Sequence, residues 1–311
     1  MFEVIILGTG SAIPAFGRHL SGQIVVYHHR LYLIDCGEGT QFQLNRYRVP
    51  IKRLDAIFIS HLHGDHVLGL PGLLSSMSLG GRTKLLPIIG PEGIKELVET
   101  QLRLTHGFLT YPLEFREISR TDESQVVFQT SALRVKTIPL HHRIPCIGFR
   151  FDETLQKRKF LVQNAYALNI PKEYFHLIKQ GVAFTLPDGL KIEPDTCLGE
   201  PNELNSYAYC SDTRFAPEIV PYIEKVSLLY HEATFLQSQI IQAEATAHST
   251  AFEAGKIASM AGADAMLIGH FSARYKEPTD LLDEARTVFP NTYLAIEGKT
   301  YPVPYEESDL S

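Results

Sequence analysis

A chain of 311 residues with 44% apolar content can bury a large core, and no apolar run approaches the ~20 residues that a membrane-spanning helix needs. Its net charge of −6 argues against a general polyanion binder, so any contact with nucleic acid has to come from a local basic patch or a separate element. Cys36, Cys146, Cys197 and Cys210 are scattered without C-x-x-C spacing, and Met1 leads straight into an apolar stretch; both fit a reduced, cytoplasmic protein without a signal peptide.

Val4–Leu7 reads as a strand closed by the turn Gly8-Thr9-Gly10-Ser11, and Pro14 to Ser21 as a loop. Gln23–Tyr27 and Leu31–Asp35 are two strands joined by a polar turn. In Asp35-Cys36-Gly37-Glu38-Gly39-Thr40-Gln41, two glycines flank Glu38; such a segment brings backbone close to a metal site and orients its ligands from behind. The apolar run Ile57-Phe58-Ile59-Ser60 then delivers His61-Leu62-His63-Gly64-Asp65-His66, four metal-capable side chains in six residues. His61 and His63 alternate along extended chain and point the same way, while Gly64 permits the turn that aims Asp65 and His66 at a second ion. Imidazoles with one carboxylate suit zinc, with manganese or iron as alternatives. A polar loop with chance histidines is a poor account of so dense a pattern.

Asp65 to Leu79 reads as a helix bent at Pro71, Leu86–Ile89 as a strand, Pro91–Leu104 as a helix, and Leu113 to Lys136 as strands. A strand from Val135 ends in the pair His141-His142. Residues from about Phe151 to Pro201 differ in composition: a basic run Leu155–Lys159, a polar helical stretch from Asn169 to Gln180, and the turn Pro187-Asp188-Gly189 mark an insertion. Ser206–Cys210 is a strand that ends in Ser211-Asp212-Thr213, where a carboxylate can bridge two metals or serve only as a helix cap. Val226–Tyr230 leads to His231-Glu232. Ala247-His248-Ser249-Thr250 precedes an amphipathic helix that Ser249 or Thr250 would cap and whose N-terminus would favour phosphate. Ala265–Gly269 ends in His270-Phe271-Ser272-Ala273-Arg274-Tyr275, before a helix at Pro278–Phe289, a strand at Tyr293–Ile296 and a loosely held acidic tail, Glu306 to Asp309.

The H-x-H-x-D-H pattern resembles the metallo-β-lactamase superfamily. D-C-G-E-G-T-Q at 35–41, H-L-H-G-D-H with Gly69–Leu74, and H-F-S-A-R-Y at 270–275 narrow the resemblance to the tRNase Z family, over nearly the whole chain. That resemblance implies an α/β fold, a four-layer αβ/βα sandwich of the metallo-β-lactamase type. It implies a single domain, 1–311, with a projecting exosite-like arm inserted at 152–200. The arm tip here is Pro171-Lys172-Glu173-Tyr174 where the family usually carries Gly-Pro. In the family a ligand lies six residues before the glycine of a G-F-R-type strand; counting back from Gly148 gives His142, with His141 as the alternative. The implied cofactor is two Zn²⁺ ions per subunit, with Mn²⁺ or another divalent metal as alternatives. One ion would take His61, His63, His142 and an oxygen of Asp212; the other would take Asp65, His66, His270 and the second oxygen. Asp65 would also act as base, His248 on the scissile phosphate or leaving group, Glu232 in support and Arg274 on phosphate. The implied activity is a zinc-dependent endoribonuclease that removes the 3′ trailer of precursor tRNA after the discriminator base. The enzyme would be a homodimer in which one subunit's arm presents tRNA to the other's site, with no membrane partner. A small-molecule phosphodiesterase on the same two-metal scaffold and a non-catalytic RNA-binding paralogue are the competing readings.

Overall fold

The computed structural model describes residues 1–156 and 158–306; Lys157 of the basic run and residues 307–309 of the acidic tail lie outside the described residues. The chain forms two compact units, Met1–Asp152 with Asn205–Ser311, and Glu153–Leu204.

In the larger unit, strands that are apolar on both faces dictate the layering. Along Phe2–Gly8, Val4 and Ile6 enter one core while Ile5 and Leu7 enter another. The same split separates Val25 and Tyr27 from Ile24 and Val26, and Tyr32 and Ile34 from Leu31 and Leu33. Successive side chains of a strand point to opposite faces, so a sheet built this way must be covered on both sides. The first sheet runs 300–302, 2–8, 22–27, 30–34, 54–58, 86–91, 113–118. Helices Thr40–Arg46, Leu70–Leu79 and Ile94–Leu104 cover its outer face through Leu44, Leu73, Met77 and Val98. Its inner face packs on a second sheet, ordered 292–294, 266–269, 228–232, 206–210, 146–153, 133–140, 126–129. Between the sheets lies an aromatic cluster, with the Phe58 ring 5.2 Å from Phe149 and 5.3 Å from Phe151. Helices Ala251–Ala261 and Thr279–Arg286 cover the far face of the second sheet, setting Ile257, Ala258 and Leu281 against Leu229, Met266 and Ile268. The result is the four-layer αβ/βα sandwich.

Parallel pairing positions the site. Strands 30–34, 54–58 and 86–91 pair in parallel in the first sheet; strands 206–210, 228–232, 266–269 and 292–294 do so in the second. Within each sheet the C-terminal ends of these strands therefore lie along one edge, where segments carrying Asp35, His61–His66, Asp212, Glu232 and His270 follow.

Local chemistry shifts several expected boundaries. The stretch Asp65–Leu79 is two helices, Gly64–Val67 and Leu70–Leu79. Gly69 leaves the helical register to donate to the Cys36 carbonyl at 2.9 Å, and a Cβ there would meet the Gly37 oxygen at 2.1 Å. Pro91 closes a strand rather than opening a helix; the helix starts at Ile94, after Gly93 at φ 96°, whose N–H donates to Glu117 at 2.8 Å. The last strand, Thr300–Pro302, pairs antiparallel with Phe2–Gly8 and was not evident in the sequence.

The unit Glu153–Leu204 has its own small core, including Ala165, Ile178, Ile192 and Cys197. Arg158–Phe160 pairs antiparallel with Leu198–Pro201, and Phe184–Thr185 with Lys191–Ile192. The polar stretch expected as one helix is a 3₁₀ turn, Lys172–Tyr174, and a short helix, Phe175–Lys179. Tyr174, at the tip segment, stacks on Phe184 with centroids 5.0 Å apart, so this part of the chain is fixed by packing. Arg158 of the basic run is committed to Asp195 and the Gly199 carbonyl, while Lys159, Lys172 and Lys179 are exposed.

Candidate active site

His63 is extended (φ −66°, ψ 148°) and caps the helix Gly64–Val67, so His61 and His63 meet with Nε2 and Nδ1 3.2 Å apart. The turn between His63 and Asp65 is the start of that helix; Gly64 needs no positive φ to make it. His142, from the end of strand Leu133–Leu140, brings Nε2 to 3.2 Å from His63 Nδ1. Its neighbour His141 turns away to Glu218 at 3.3 Å. Asp212 Oδ2 lies 3.5 Å from His61 Nε2 and 3.8 Å from His142 Nε2. These four residues form one convergent donor set.

Asp65, His66 and His270 form a second. His66 Nε2 and His270 Nε2 are 3.3 Å apart, and Asp65 Oδ2 lies 3.5 and 3.6 Å from them. Asp212 Oδ1 completes the group at 3.4 Å from His66 and 3.2 Å from His270. Bonds of about 2.0–2.1 Å to a tetrahedral ion separate neighbouring donor atoms by roughly 3.3 Å, the spacing found in both sets. Each of these imidazoles and carboxylates is a known ligand type for a divalent metal, and Asp212 offers one oxygen to each set. The residues therefore fit a pair of metal ions, and these His/Asp groups are able to bind metal.

Two buried carboxylates hold the imidazoles from behind. Asp35, which follows the strand Arg30–Ile34 at φ 55°, accepts from His66 Nδ1 at 2.8 Å, Tyr209 Oη at 2.7 Å and Ser60 Oγ at 2.8 Å. Ser60 Oγ in turn meets His61 Nδ1 at 3.0 Å. Glu232, at the end of strand Leu228–Glu232, meets His248 Nδ1 at 2.8 Å and accepts from the N–H groups of Thr213 and Thr234. Thr234 Oγ1 donates to Glu232 at 2.5 Å and meets His270 Nδ1 at 3.0 Å. His142 Nδ1 donates to the Ala247 carbonyl at 2.9 Å. Such contacts fix which ring nitrogen faces the donor set. Ala12, Asp35, Ala247 and His270, all at this site, are non-glycine residues with positive φ, a conformation retained only where the surroundings enforce it.

The electrostatics follow from burial and charge. Burial pushes the His61 pKa well down. Burial also opposes a charged His66, but Asp212 and Asp35 outweigh it and hold its pKa well above the usual value. Burial likewise opposes an ionised Asp65, and its contacts with His270 and His66 overcome that and keep it far below the usual carboxylate range. For His248, Glu232 overrides burial and pushes the pKa up to about 9.

Against known proteins, a ribonuclease Z from Bacteroides fragilis is 44% identical over 298 residues, covering 96% of this chain and 97% of that one. This chain belongs to the ribonuclease Z family. The crystal structure of human tRNase Z, short form, matches with a TM-score of 0.70 and 26% identity over 97% of this chain and 99% of that chain. The metallo-β-lactamase fold protein YhfI of Bacillus subtilis shares the fold, with a TM-score of 0.67 and 22% identity over 96% and 98% of the two chains. Residues 2–160 also match the family model described as anti-Pycsar protein Apyc1, a stretch that holds His61–His66 and His142 but ends before Asp212, His248 and His270.

Other residues singled out in the sequence stand around the donor sets of this ribonuclease Z family member. His248 Nε2 is 4.0 Å from Asp212 Oδ2. Arg274 is exposed, its guanidinium 5.8 Å from the centroid of Phe235, whose ring lies 6.1 Å from that of His248. His231 is buried, with Nδ1 2.7 Å from the Glu232 carbonyl. The helix after Ser249 does not present a free anion site. Thr250 caps it in a reciprocal pair with Glu253, the Phe235 carbonyl accepts from the Ala251 N–H and Glu284 from the Phe252 N–H at 3.1 Å, so its N-terminal donors are already occupied. Ser249 instead donates to the Thr213 carbonyl at 2.7 Å. Sequence reasoning missed the specific partnerships of Ser60, Tyr209 and Thr234, and the Ala12 N–H that donates to Asp65 Oδ2 at 2.8 Å. Ser60 and Thr234 adjoin ligand motifs, which was a usable signal; a backbone N–H leaves none.

Proposed function

We propose that the two donor sets hold two zinc ions, and that the chain uses this site to hydrolyse precursor tRNA after the discriminator base, leaving a 3′-hydroxyl on the tRNA. The observation that carries the metal assignment is Asp212, with one oxygen in each set. Divalent ions bound there would supply a water of lowered pKa and stabilise charge on phosphate oxygens. The side chains of this chain do the rest. Asp65, oriented by the Ala12 N–H, accepts the proton of the attacking water. His248, held by Glu232 through Nδ1, keeps Nε2 for the departing 3′-oxygen. Arg274 adds positive charge beyond Phe235 for the approaching phosphate.

The unit Glu153–Leu204 serves in this reading as the arm that grips tRNA, supported by its separate core and the exposed Lys159, Lys172 and Lys179. A local grip of this kind reconciles RNA binding with a net charge of −6. By family resemblance the enzyme works as a cytoplasmic homodimer; light scattering that shows only monomer would remove the dimer.

Native mass spectrometry beside two turnover assays tests the proposal. Two zinc ions per chain, with turnover of both a trailer-bearing precursor tRNA and bis-p-nitrophenyl phosphate, is the expected result. Turnover of the small ester with the tRNA untouched would redirect the assignment to a small-molecule phosphodiesterase, and a chain that takes up no metal would point to a non-catalytic RNA binder.

A further inference from the structure

His248 lines two openings. One, a cleft of about 370 Å³, also meets His63, Asp65, Asp212 and Arg143. The other, about 390 Å³, meets Arg214 and Phe215 with Glu244 and Glu253. Among the described residues, Arg143 is the only lysine or arginine in the wall of the first. It directly follows His142, whose ring is pinned by the Ala247 carbonyl, so its backbone is fixed beside the donor set. Other arginines have structural work: Arg18 donates to the carbonyls of Ser272, Tyr275 and Lys276, and Arg82 to those of Lys52, Leu54, Lys84 and Leu85. The Arg143 side chain is exposed and, among the described residues, makes no hydrogen bond or ion pair. Glu38 faces the same cleft, so a polyanionic strand is held there only where a cation meets it.

The chemistry assigns the two openings. In the cleavage proposed above, water's oxygen bonds to phosphorus and the P–O3′ bond breaks. The departing oxygen belongs to the tRNA, and the phosphate stays on the trailer. His248, which protonates that oxygen, borders the tRNA's last nucleotide, and in this assignment that nucleotide takes the opening with Arg214 and Phe215. The cleft across the donor sets is left for the trailer. We infer that Arg143 is a specificity residue that binds the first phosphate of the trailer beyond the scissile one, an assignment that rests on the tRNA-processing reading. A guanidinium fork matches a phosphodiester in geometry as well as charge.

A trailer of one nucleotide lacks that phosphate and a trailer of two has it. The test is therefore the ratio of kcat/KM for two precursor tRNAs, identical except for trailers of two and one nucleotides, with zinc-loaded protein. Arg143→Ala is expected to lower the ratio roughly tenfold relative to wild type, and Arg143→Lys by less, because charge survives but the fork does not. Calorimetry supplies a readout independent of turnover. Wild type should bind a 5′-phosphorylated dinucleotide more tightly than a 5′-mononucleotide, and Arg143→Ala should erase most of that difference. An unchanged ratio in Arg143→Ala, or equal loss of binding for the two nucleotides, overturns the assignment. Wild-type protein that cuts neither precursor would instead sink the tRNA reading, and the binding comparison would still decide whether Arg143 reads a second phosphate.

Discussion

The two sheets build their halves of the site differently. The first sheet supplies its donors from one short loop, His61 to His66, anchored behind by Asp35. The second supplies Asp212 and His270 singly from the ends of parallel strands, and His142 from a strand that ends in a histidine pair, with Glu232 anchoring. Yet the anchoring logic is the same. Asp35 holds His66 directly and His61 through the Ser60 hydroxyl; Glu232 holds His248 directly and His270 through the Thr234 hydroxyl. The difference lies in what is anchored. Both histidines behind Asp35 belong to donor sets, one in each, whereas Glu232 divides its hold between a donor, His270, and His248, proposed to move a proton. A carboxylate that orients only ligands tunes metal affinity, while one that also orients an acid acts on the chemical step.

Substitutions can break or sharpen this comparison. The largest effect is expected at the residue the two halves share: Asp212→Ala should lower tRNA cleavage by about 10³-fold or more and reduce bound zinc, measured by single-turnover kinetics and metal analysis. Next, His248→Ala should cost about 10²- to 10⁴-fold in kcat with zinc content retained, because in the proposed reading it removes the proton donor and no ligand. The two anchors then separate. Asp35→Asn should weaken zinc affinity about 10- to 100-fold in a competitive chelator titration. Glu232→Gln should lower kcat by more than it lowers zinc affinity. Equal behaviour of the two variants would erase the distinction drawn between the halves. The scaffold both share is read by stability instead of turnover. Phe58→Ala, in the aromatic cluster between the sheets, should cost about 3–5 kcal/mol of stability in denaturant unfolding. A further variant replaces residues 153–204 with a short turn, which the antiparallel pairing of Asp152 with Ser206 permits. It should lose tRNA cleavage and keep turnover of bis-p-nitrophenyl phosphate.

What was legible in the sequence follows the same division. The loop motif could be read directly, because four ligand types within six residues are rare by chance and an alternating strand aims them. The four-layer sandwich was implied by the family resemblance, and strands such as Val4–Leu7, apolar on both faces, are its physical cause. Asp212 stood out because it follows a strand, His270 because it also opens H-F-S-A-R-Y, and choosing His142 over His141 required the family resemblance; the structure puts His142 in the donor set and His141 on Glu218. Long-range partnerships were invisible. Tyr209 reaches Asp35 across 174 positions, and nothing local to either marks the pair. The helix after Ser249 misled for a related reason: a free N-terminus attracts phosphate, but Glu284, far along the chain, already holds the Phe252 N–H.

The central claim is that the donor sets bridged by Asp212 are a tRNA 3′-processing site. Mapping the 3′ end left on a trailer-bearing precursor tRNA, after incubation with zinc-loaded wild-type protein and with Asp212→Ala, tests it most directly. The account predicts one cut after the discriminator base with a free 3′-hydroxyl, and no cut in the variant. An intact precursor with wild type, or the same cut with Asp212→Ala, would contradict it.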